Sequence, residues 1–447
     1  MGLRPYLIVS TRETAKECYT VNDHAFATRP PTIAGKLMAY DHSVMGFTPN
    51  GAYWREARKI ATTELYSARR IESLHAVRSS EVQSWVNNVY ARGGEEKERT
   101  VEVEVKGEME ELMFNVLMRM VSGKRYFGAN VAKEDEEMAR RFKVAVKRFN
   151  HYLGNTEVYD ALPFLEWVDF RGDAREMRRV QRELDEVMQS WVDEHRLKRG
   201  RKESGSQDFI DVLVSMADGG GFSSALSDSE TAIKALALTQ LVAGVDSMAS
   251  TLVWAITLLL TNPTHLSQAQ HELDTHVGRD TLVTESHLPN LPFLQALIKE
   301  TLRLYPVGPL LVPHQAMDDC TVSSYHIPRG TGLFINAWAI QRDPDVWSDP
   351  DRFDPSRFLE GGRNEGVDVR GRDFELLPFG SGRRSCPGVG VAQQVMQLTL
   401  ARVLQAFDVG EVPGVGVDVE EGLGLLLYKL NPLRVRLTPR LPARLYK

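Results

Sequence analysis

The chain has 447 residues, of which 43% are hydrophobic and 26% are charged, and its formal net charge is -6. This length and apolar fraction are sufficient for a large buried core, and length alone suggests two or three domains. The charge balance lacks the strongly basic character of nucleic-acid-binding proteins, which argues against a DNA or RNA partner.

The three cysteines, Cys18, Cys320 and Cys386, are too few and too scattered for a disulfide framework. They also lack the paired C-x-x-C spacing of a structural zinc site. A reducing compartment facing the cytosol fits this pattern best.

Short strand-like and turn segments fill the first fifty residues, beginning with an apolar run at residues 7–10 and without a signal peptide. Helical patterning then dominates to about residue 305, because apolar residues recur at three- and four-residue spacing. The helices predicted from this spacing cover residues 69–85, 106–121, 175–195 and 230–260. A charged segment at 198–206 is predicted to be a solvated loop.

The most apolar stretch, residues 235–260, is interrupted by polar side chains that include Gln240, Asp246 and Thr251. A membrane span rarely tolerates such residues, so the pattern favours a long buried helix.

The character of the chain changes after Pro306. Residues 320–334 are predicted to form short strands, residues 343–358 are rich in Asp and Pro and should be irregular, and a helix is expected at 389–407. Strand-like alternation returns at 434–437. The fold class is therefore mainly α with a small β part, and no linker divides the two.

The segment that carries the chemistry is Phe379-Gly-Ser-Gly-Arg-Arg-Ser-Cys-Pro-Gly388. A free cysteine is more often an inert small hydrophobe than a ligand, but the neighbours of Cys386 favour a thiolate. Glycines permit a tight loop whose backbone approaches a flat cofactor closely. The predicted helix after Pro387 adds its positive end.

This loop resembles the haem-binding loop of cytochromes P450 through Phe379, Gly382, Arg384, Cys386 and Gly388. The resemblance implies that Cys386 ligates the iron of a haem b. It also implies the fold of that family, a helix-rich body around haem with a minor strand-rich lobe. The implied cofactor contacts are Phe379, Gly380, Arg384 and Gly388.

The segment Glu300-Thr-Leu-Arg303 also resembles the family. Glu300 and Arg303 share a helix face and can pair, and a surface ion pair is the ordinary interpretation. In the family this pair is buried and is joined by an arginine from a segment that here reads Pro355-Ser-Arg357-Phe358. Serine stands at 356 in place of the usual acid, which should cost little if Arg357 carries the network. The implied role is structural.

The segment Ala243-Gly-Val-Asp-Ser247 resembles the oxygen-binding kink of the family, and a helix with one polar turn is the alternative. The resemblance implies that Gly244 lets the backbone open and that an acid–alcohol pair handles protons. Asp246 is the acid. Ser247 stands where the family has threonine, and its freer rotation should preserve proton delivery with more leakage to peroxide.

Trp54 and Arg58 lie four residues apart on one predicted helix face and resemble the family's pair that contacts a haem propionate. His314 resembles a further propionate partner, and an ordinary histidine at a strand edge is the alternative.

Residues 115–128 and 160–169 resemble phrases typical of plant microsomal P450s of specialised metabolism. The resemblance implies a monooxygenase that inserts one oxygen atom from O2 into an apolar metabolite of the flavonoid, alkaloid, lignan or terpenoid type. Electrons come from NADPH through a reductase, and aromatic or benzylic hydroxylation is the preferred reaction. The expected substrate contacts, which are aliphatic, are Leu241, Val242, Val307, Leu310, Leu311 and Leu426.

Compared with that family, the chain begins late, since residues 7–10 resemble the second strand of the family's sheet. We interpret residues 1–447 as a single catalytic domain without the membrane anchor and first strand, which leaves a strand edge unpaired. The full-length protein is expected to be a monomer on the cytosolic face of the endoplasmic reticulum membrane. NADPH–cytochrome P450 reductase is expected to dock near Arg55, Lys59 and Arg383.

Two other functions stay open at this point. One is a reductase-independent haem-thiolate isomerase or dehydratase, although such proteins usually disturb the acid–alcohol pair or the haem loop. The other is a non-catalytic haem-binding pseudoenzyme, favoured by the late start and by Ser247. Dependence of turnover on NADPH and reductase separates a monooxygenase from both.

Overall fold

The computed structural model describes residues 4–93, 100–128, 131–154, 160, 169, 172–200, 207–226, 228–422 and 424–447. Helices dominate these residues, as predicted, and the strands form small separate sheets. The helices are α1 (Arg12–Tyr19), α2 (Ile33–Met38), α3 (Ala52–Glu64), α4 (Ala68–Ser73), α5 (His75–Arg92), α6 (Val105–Ser122), α7 (Lys133–Gly154), α8 (Asp173–Gly200), α9 (Phe209–Asp218), α10 (Ser229–Thr261), α11 (Pro263–His276), α12 (Pro292–Leu304), α13 (Ala337–Ile340) and α14 (Val389–Ala406).

Ten short strands occur in the described residues: β1 (Tyr6–Val9), β2 (Val101–Glu104), β3 (His314–Gln315), β4 (Cys320–Val322), β5 (Tyr325–Ile327), β6 (Gly332–Ile335), β7 (Phe407–Glu411), β8 (Glu421–Gly422), β9 (Tyr428–Lys429) and β10 (Arg434–Pro439). One sheet has the order β1-β6-β3, in which β1 runs parallel to β6 with Tyr6 opposite Gly332. A second sheet has the order β2-β10-β7 and is antiparallel. The pairs β4-β5 and β8-β9 complete the set.

Helix α10 forms the centre of the protein. It begins where the Asp228 side chain accepts the Thr231 N–H at 3.0 Å, which caps its first turn. Helices α6, α8, α12 and α14 pack around it. Among the described residues it is the one helix long and apolar enough to cross a membrane, but 72% of its most apolar window is buried inside the protein. The long buried helix predicted at 235–260 is confirmed.

The helix predicted at 69–85 is instead two helices, because the chain turns at Leu74. The buried Arg78 guanidinium donates to the Ile71 carbonyl at 2.8 Å, which satisfies a main-chain oxygen at the end of α4. The same side chain forms two 2.7 Å hydrogen bonds with the distant Glu285. Periodicity alone does not reveal a partner so far along the chain.

The first fifty residues contain two helices that the pattern did not predict. Each begins at a threonine: the Thr11 hydroxyl accepts the Thr14 N–H at 3.4 Å, and the Thr32 hydroxyl accepts the Gly35 N–H at 3.0 Å. The loop predicted at 198–206 is wrong at its start, since α8 continues through Gly200, and residues 201–206 lie outside the described residues. The strands predicted at 7–10, 320–334 and 434–437 are confirmed by β1, by β4 to β6 and by β10.

Candidate active site

A cavity of about 330 Å³ lies between α10 and the loop formed by residues 379–388, which we call the cysteine loop. Most residues proposed from the sequence for cofactor or substrate contact line it: Trp54, Arg58, Val242, Gly244, Ser247, Val307, Leu311, His314, Phe379, Gly380, Arg384, Cys386, Gly388 and Leu426. Three other predicted residues, Leu241, Asp246 and Leu310, are not part of this lining. Leu241 packs into the hydrophobic core, and Leu310 is 41% exposed. The structure therefore places Leu241 and Leu310 outside the cavity lining, and the substrate contacts expected of them stay predictions.

Two glycines set the shape of the cysteine loop. Gly380 and Gly382 have φ angles of +65° and +66°, a left-handed conformation that favours glycine. A Cβ atom at Gly382 would also collide with the Asp23 carboxylate. The Cys386 N–H donates to the Phe379 carbonyl at 2.9 Å, which closes the loop. Gly388 has no positive φ and serves instead as the N-cap of α14.

Cys386 lines the cavity and is exposed to it, whereas the protein around the sulfur desolvates the thiol and raises its pKa. A hydrogen bond from the Gly388 N–H and the charge of Arg58 act in the opposite direction. The N-terminus of α14 begins three residues further along and favours negative charge. The hydrogen bond, the charge of Arg58 and the helix terminus therefore favour the thiolate form, against the desolvation that raises the pKa of the thiol.

Three arginines, which we call the arginine cluster, line the same cavity: Arg29, Arg58 and Arg384. Arg29 donates to the Val312 and Pro313 carbonyls at 2.7 and 2.8 Å. Arg384 donates to the Ala27 and Thr48 carbonyls at 2.6 and 2.8 Å. Its guanidinium stacks on the Trp54 ring at 3.9 Å. None of the three forms an ion pair with a carboxylate of the described residues.

This arrangement is electrostatically unsatisfied. Burial, together with the other two arginines, lowers the pKa of Arg384 to about 8, and burial lowers the pKa of Arg29 to about 10. The Nη1 atom of Arg384 is buried without a hydrogen-bond partner among the described residues. Buried cations require anions. The cluster therefore fits a ligand that brings anionic groups into this part of the cavity.

His314 lies beside the arginine cluster and is neutral. Burial lowers its pKa well below the usual value, and the charge of Arg29 acts in the same direction. Nδ1 lies 2.7 Å from the Phe26 carbonyl and therefore carries the proton, which it donates to that oxygen. The other ring nitrogen of this cavity-lining residue, Nε2, therefore carries no proton.

The residues present fit a haem. A cysteine sulfur, an enclosing cavity beside the cysteine loop and a cluster of arginines without carboxylate partners among the described residues match an iron, a porphyrin ring and two propionates. Trp54, Arg58, His314 and Arg384, which the sequence proposed as cofactor contacts, all line this cavity. Sequence reasoning missed Arg29, which stands before two prolines without any spacing signal.

Helix α10 passes the cavity without interruption at Gly244, so the described backbone does not open there as predicted. The missing side chain instead makes room for α6, since a Cβ atom at Gly244 would lie 2.6 Å from a Leu117 methyl group. Ser247 lines the cavity, and its hydroxyl donates to the Ala243 carbonyl at 2.8 Å. This bond follows the ordinary pattern of a helical serine.

Asp246 lies on the side of α10 that faces α7. The Asn150 side-chain amide donates to its carboxylate and to the Val242 carbonyl, each at 3.1 Å. Burial raises the pKa of Asp246, and the bond from Asn150 opposes this shift. Asn150 itself lines the cavity and was not identified from the sequence. The acid of the predicted acid–alcohol pair is therefore one side chain removed from the cavity.

Glu300 joins two buried arginines away from the cavity. Its carboxylate accepts hydrogen bonds from Arg303 at 2.7 and 2.9 Å and from Arg357 Nε at 3.0 Å. It also accepts the Asp354 N–H at 2.9 Å. Ser356, at the position where an acid is usual, donates its hydroxyl to Asp354 at 2.5 Å and takes no part in the network.

Known proteins resemble this chain over its whole length. The family model described as Cytochrome P450 matches residues 1–435. A xanthotoxin 5-hydroxylase of Arabidopsis thaliana is 48% identical, with 100% of this chain and 86% of that protein aligned. A flavonoid-6-hydroxylase of Mentha piperita is 45% identical over the same shares. A strychnine-10-hydroxylase of Strychnos nux-vomica is 42% identical, with 100% of this chain and 84% of that protein aligned.

A solved structure of a zebra fish cytochrome P450 with progesterone superposes with a TM-score of 0.81. The alignment covers 98% of this chain and 95% of that chain at 24% sequence identity. This similarity concerns the fold alone, and it confirms the predicted fold class.

Proposed function

This chain belongs to the cytochrome P450 family, and from that premise we propose that it hydroxylates a flat aromatic plant metabolite, with Cys386 as the thiolate ligand of its haem. The protein is a monooxygenase of plant specialised metabolism that uses O2 and electrons delivered from NADPH through a reductase. The assignment of Cys386 rests on one observation. Cys386 faces a cavity whose arginine cluster lacks carboxylate partners among the described residues.

The haem, when bound, supplies the chemistry that inserts one atom of O2 into a C–H bond. The arginine cluster would hold the propionates, with Trp54 and His314 lining the same cavity. Cys386 would supply negative charge to the iron, and the Gly388 N–H and Arg58 favour its ionised form against the desolvation that raises its pKa. Phe379, Gly380, Arg384 and Gly388 line the cavity beside Cys386 and would contact the haem.

Protons reach the cavity from the α10 side. Asp246 is suited to hold a proton because its burial raises its pKa. Ser247 follows this acid on α10 and lines the cavity, and its hydroxyl must leave the Ala243 carbonyl to relay a proton. The proposed proton route thus combines an acid outside the cavity lining with an alcohol that belongs to it.

The substrate side of the cavity is apolar. Its lining includes the aliphatic residues Val242, Val307, Leu311, Leu425 and Leu426. Such a surface binds a hydrophobe through its shape and leaves few polar groups to orient it. The relatives named above hydroxylate xanthotoxin, flavonoids and strychnine, which are rigid ring systems. A fused aromatic ring is therefore the substrate class that we propose.

The reductase is proposed to dock on the surface near Arg55 and Lys59, which are exposed on α3. Arg383 is partly neutralised there, since it lies 2.9 Å from Asp23. We further propose a monomer that acts as one catalytic domain at the cytosolic face of the endoplasmic reticulum membrane.

The decisive experiment is the carbon-monoxide difference spectrum of the reduced, haem-loaded protein, followed by turnover with NADPH and reductase. The red-shifted Soret band of thiolate-ligated haem is expected for the wild type and for Cys320→Ser, the matched control. Cys386→Ser should lose that band. Retention of the band in Cys386→Ser would contradict the ligand assignment. NADPH-dependent hydroxylation of xanthotoxin or a flavone would support the substrate class, and turnover without NADPH would contradict the proposal.

A further inference from the structure

Hydroxyl groups on the α10 side of the cavity are occupied within the protein. Those of Thr239, Ser247 and Thr251 each donate to the main-chain carbonyl four residues earlier, at 2.7, 2.8 and 3.0 Å. The Tyr66 hydroxyl donates to the Gln240 side chain. A substrate that needs a hydrogen-bond donor from these hydroxyls must therefore break an existing bond.

Asn150 differs from these groups because one of its polar atoms is unused. Both of its amide hydrogens are engaged, one with the Val242 carbonyl and one with the Asp246 carboxylate. Because both partners are acceptors, the NH2 group must face them, and this fixes the orientation of the amide. The oxygen Oδ1 accepts no hydrogen bond from the described residues, and the side chain is half-buried at the cavity.

We propose that Asn150 is a substrate-recognition and positioning residue, whose Oδ1 accepts a hydrogen bond from a phenolic hydroxyl while its Nδ2 holds Asp246. This inference rests on the proposed function and narrows its substrate class to ring systems that carry a hydrogen-bond donor. An acceptor in a largely apolar cavity discriminates well, because an ether in place of the phenol leaves Oδ1 without a partner. The Asn150 side chain then contacts both the substrate and Asp246, the acid that holds the proton.

The binding test compares xanthotoxin with 8-hydroxypsoralen, the phenol of which it is the methyl ether. Dissociation constants are measured on the haem-loaded protein from ligand-induced spectral shifts. In Asn150→Leu the phenol should bind about 3- to 10-fold more weakly, the loss expected for one neutral hydrogen bond, whereas the ether should bind as before. Leu425→Val, which trims an aliphatic part of the lining, should change both ligands by the same factor.

The outcomes separate this inference from the proposed function. Absence of the thiolate spectrum in the wild type would overturn the proposed function. An intact spectrum with equal losses for both ligands in Asn150→Leu, with no loss for either, or with no wild-type shift for either ligand would overturn the role of Asn150 alone.

The positioning role has its own readout. Asp246 is faced by Asn150 on α7, by the charges of Lys147 on α7 and Lys106 on α6, and by Glu110 on α6. Asn150→Asp keeps an acceptor for the phenol but places a second carboxylate beside Asp246. Like charges disfavour ionisation, so the limb of the pH–turnover profile that reports Asp246 should move to higher pH while the preference for the phenol survives. An unchanged profile would overturn the positioning role.

Discussion

Replacing Glu300 by glutamine is expected to destabilise the protein by about 3–5 kcal/mol, the usual effect of removing one partner from a buried ion pair. The carboxylate is fully buried and serves two arginines, Arg303 and Arg357, whose side chains are 0% and 4% exposed. Glutamine has nearly the same shape, so the change removes charge and leaves packing almost intact. Two buried guanidinium groups then have no carboxylate partner among the described residues.

Two features of the structure act in opposite directions on the size of this destabilisation. Glutamine also brings an NH2 group toward donors, so at least one of the four bonds that Glu300 now accepts turns repulsive. In the other direction, the remaining guanidinium hydrogens donate to main-chain carbonyls of residues 341, 348, 350 and 352, which stay in place. Since whole domains are stable by about 5–15 kcal/mol, the loss is large but need not prevent folding.

Urea-induced unfolding of the haem-loaded protein, followed by circular dichroism, measures the change. Glu136→Gln is the matched control, because Glu136 forms an exposed pair with Arg140 one turn along α7 and should contribute less than about 0.5 kcal/mol. Arg357→Lys keeps the charge, loses the contacts with the Ser348 and Arg352 carbonyls, and should fall between the two. A Glu300→Gln variant within about 1 kcal/mol of the wild type would refute the reasoning.

Further predictions concern the loop, a buried histidine and the arginine cluster. Gly382→Ala should destabilise by about 1–3 kcal/mol because of its positive φ, whereas Gly410→Ala in β7, where a Cβ atom meets nothing, should not; equal unfolding midpoints would contradict this. Burial alone would lower the pKa of His195, but its hydrogen bond to Asp208 raises it above 6.5 overall. Its stabilising effect is therefore full below pH 6.5 and is lost as the pH rises through the raised pKa, so the urea midpoints of wild type and His195→Gln should converge in alkaline buffer. Arg384→Leu should release haem about tenfold faster to a haem acceptor, while Arg383→Leu, whose arginine is exposed, should not; equal release rates would argue against the propionate role.

The parts of the site that could be predicted from the sequence are those whose chemistry is local. Cys386 stands within ten residues that contain its glycines and the start of α14, and Glu300 and Arg303 meet across one helical turn. Arg29 and Asn150 have no such context. Arg29 lies near Arg384 and His314 only because distant segments fold together. The role proposed for Asn150 depends on its hydrogen bond to Asp246, which lies 96 positions further along the chain. Sequence patterns therefore identify functional residues whose partners lie close to them in the sequence.

The position of Leu241 outside the cavity lining could not be predicted for a different reason. An amphipathic helix shows in its sequence which face is buried, but α10 is surrounded by other helices and is apolar on all sides. Its sequence therefore does not reveal which residues face the cavity. Val242 lines the cavity, whereas Leu241, one position earlier, packs into the core. Successive residues of a helix point about 100° apart. Only the packing of α10 against its neighbours determines which of them faces the cavity.

The arginine cluster connects folding to the cofactor. Three guanidinium groups in one cavity without a carboxylate partner among the described residues raise the free energy of the protein by itself, as the lowered pKa of Arg384 indicates. A ligand that binds only the folded state stabilises that state, and here the ligand's anionic groups also relieve the repulsion among the arginines. The unfavourable charge in the chain alone is thus the source of its affinity for haem. In a fold that is otherwise internally consistent, a locally unfavourable arrangement of this kind is typical of a functional site.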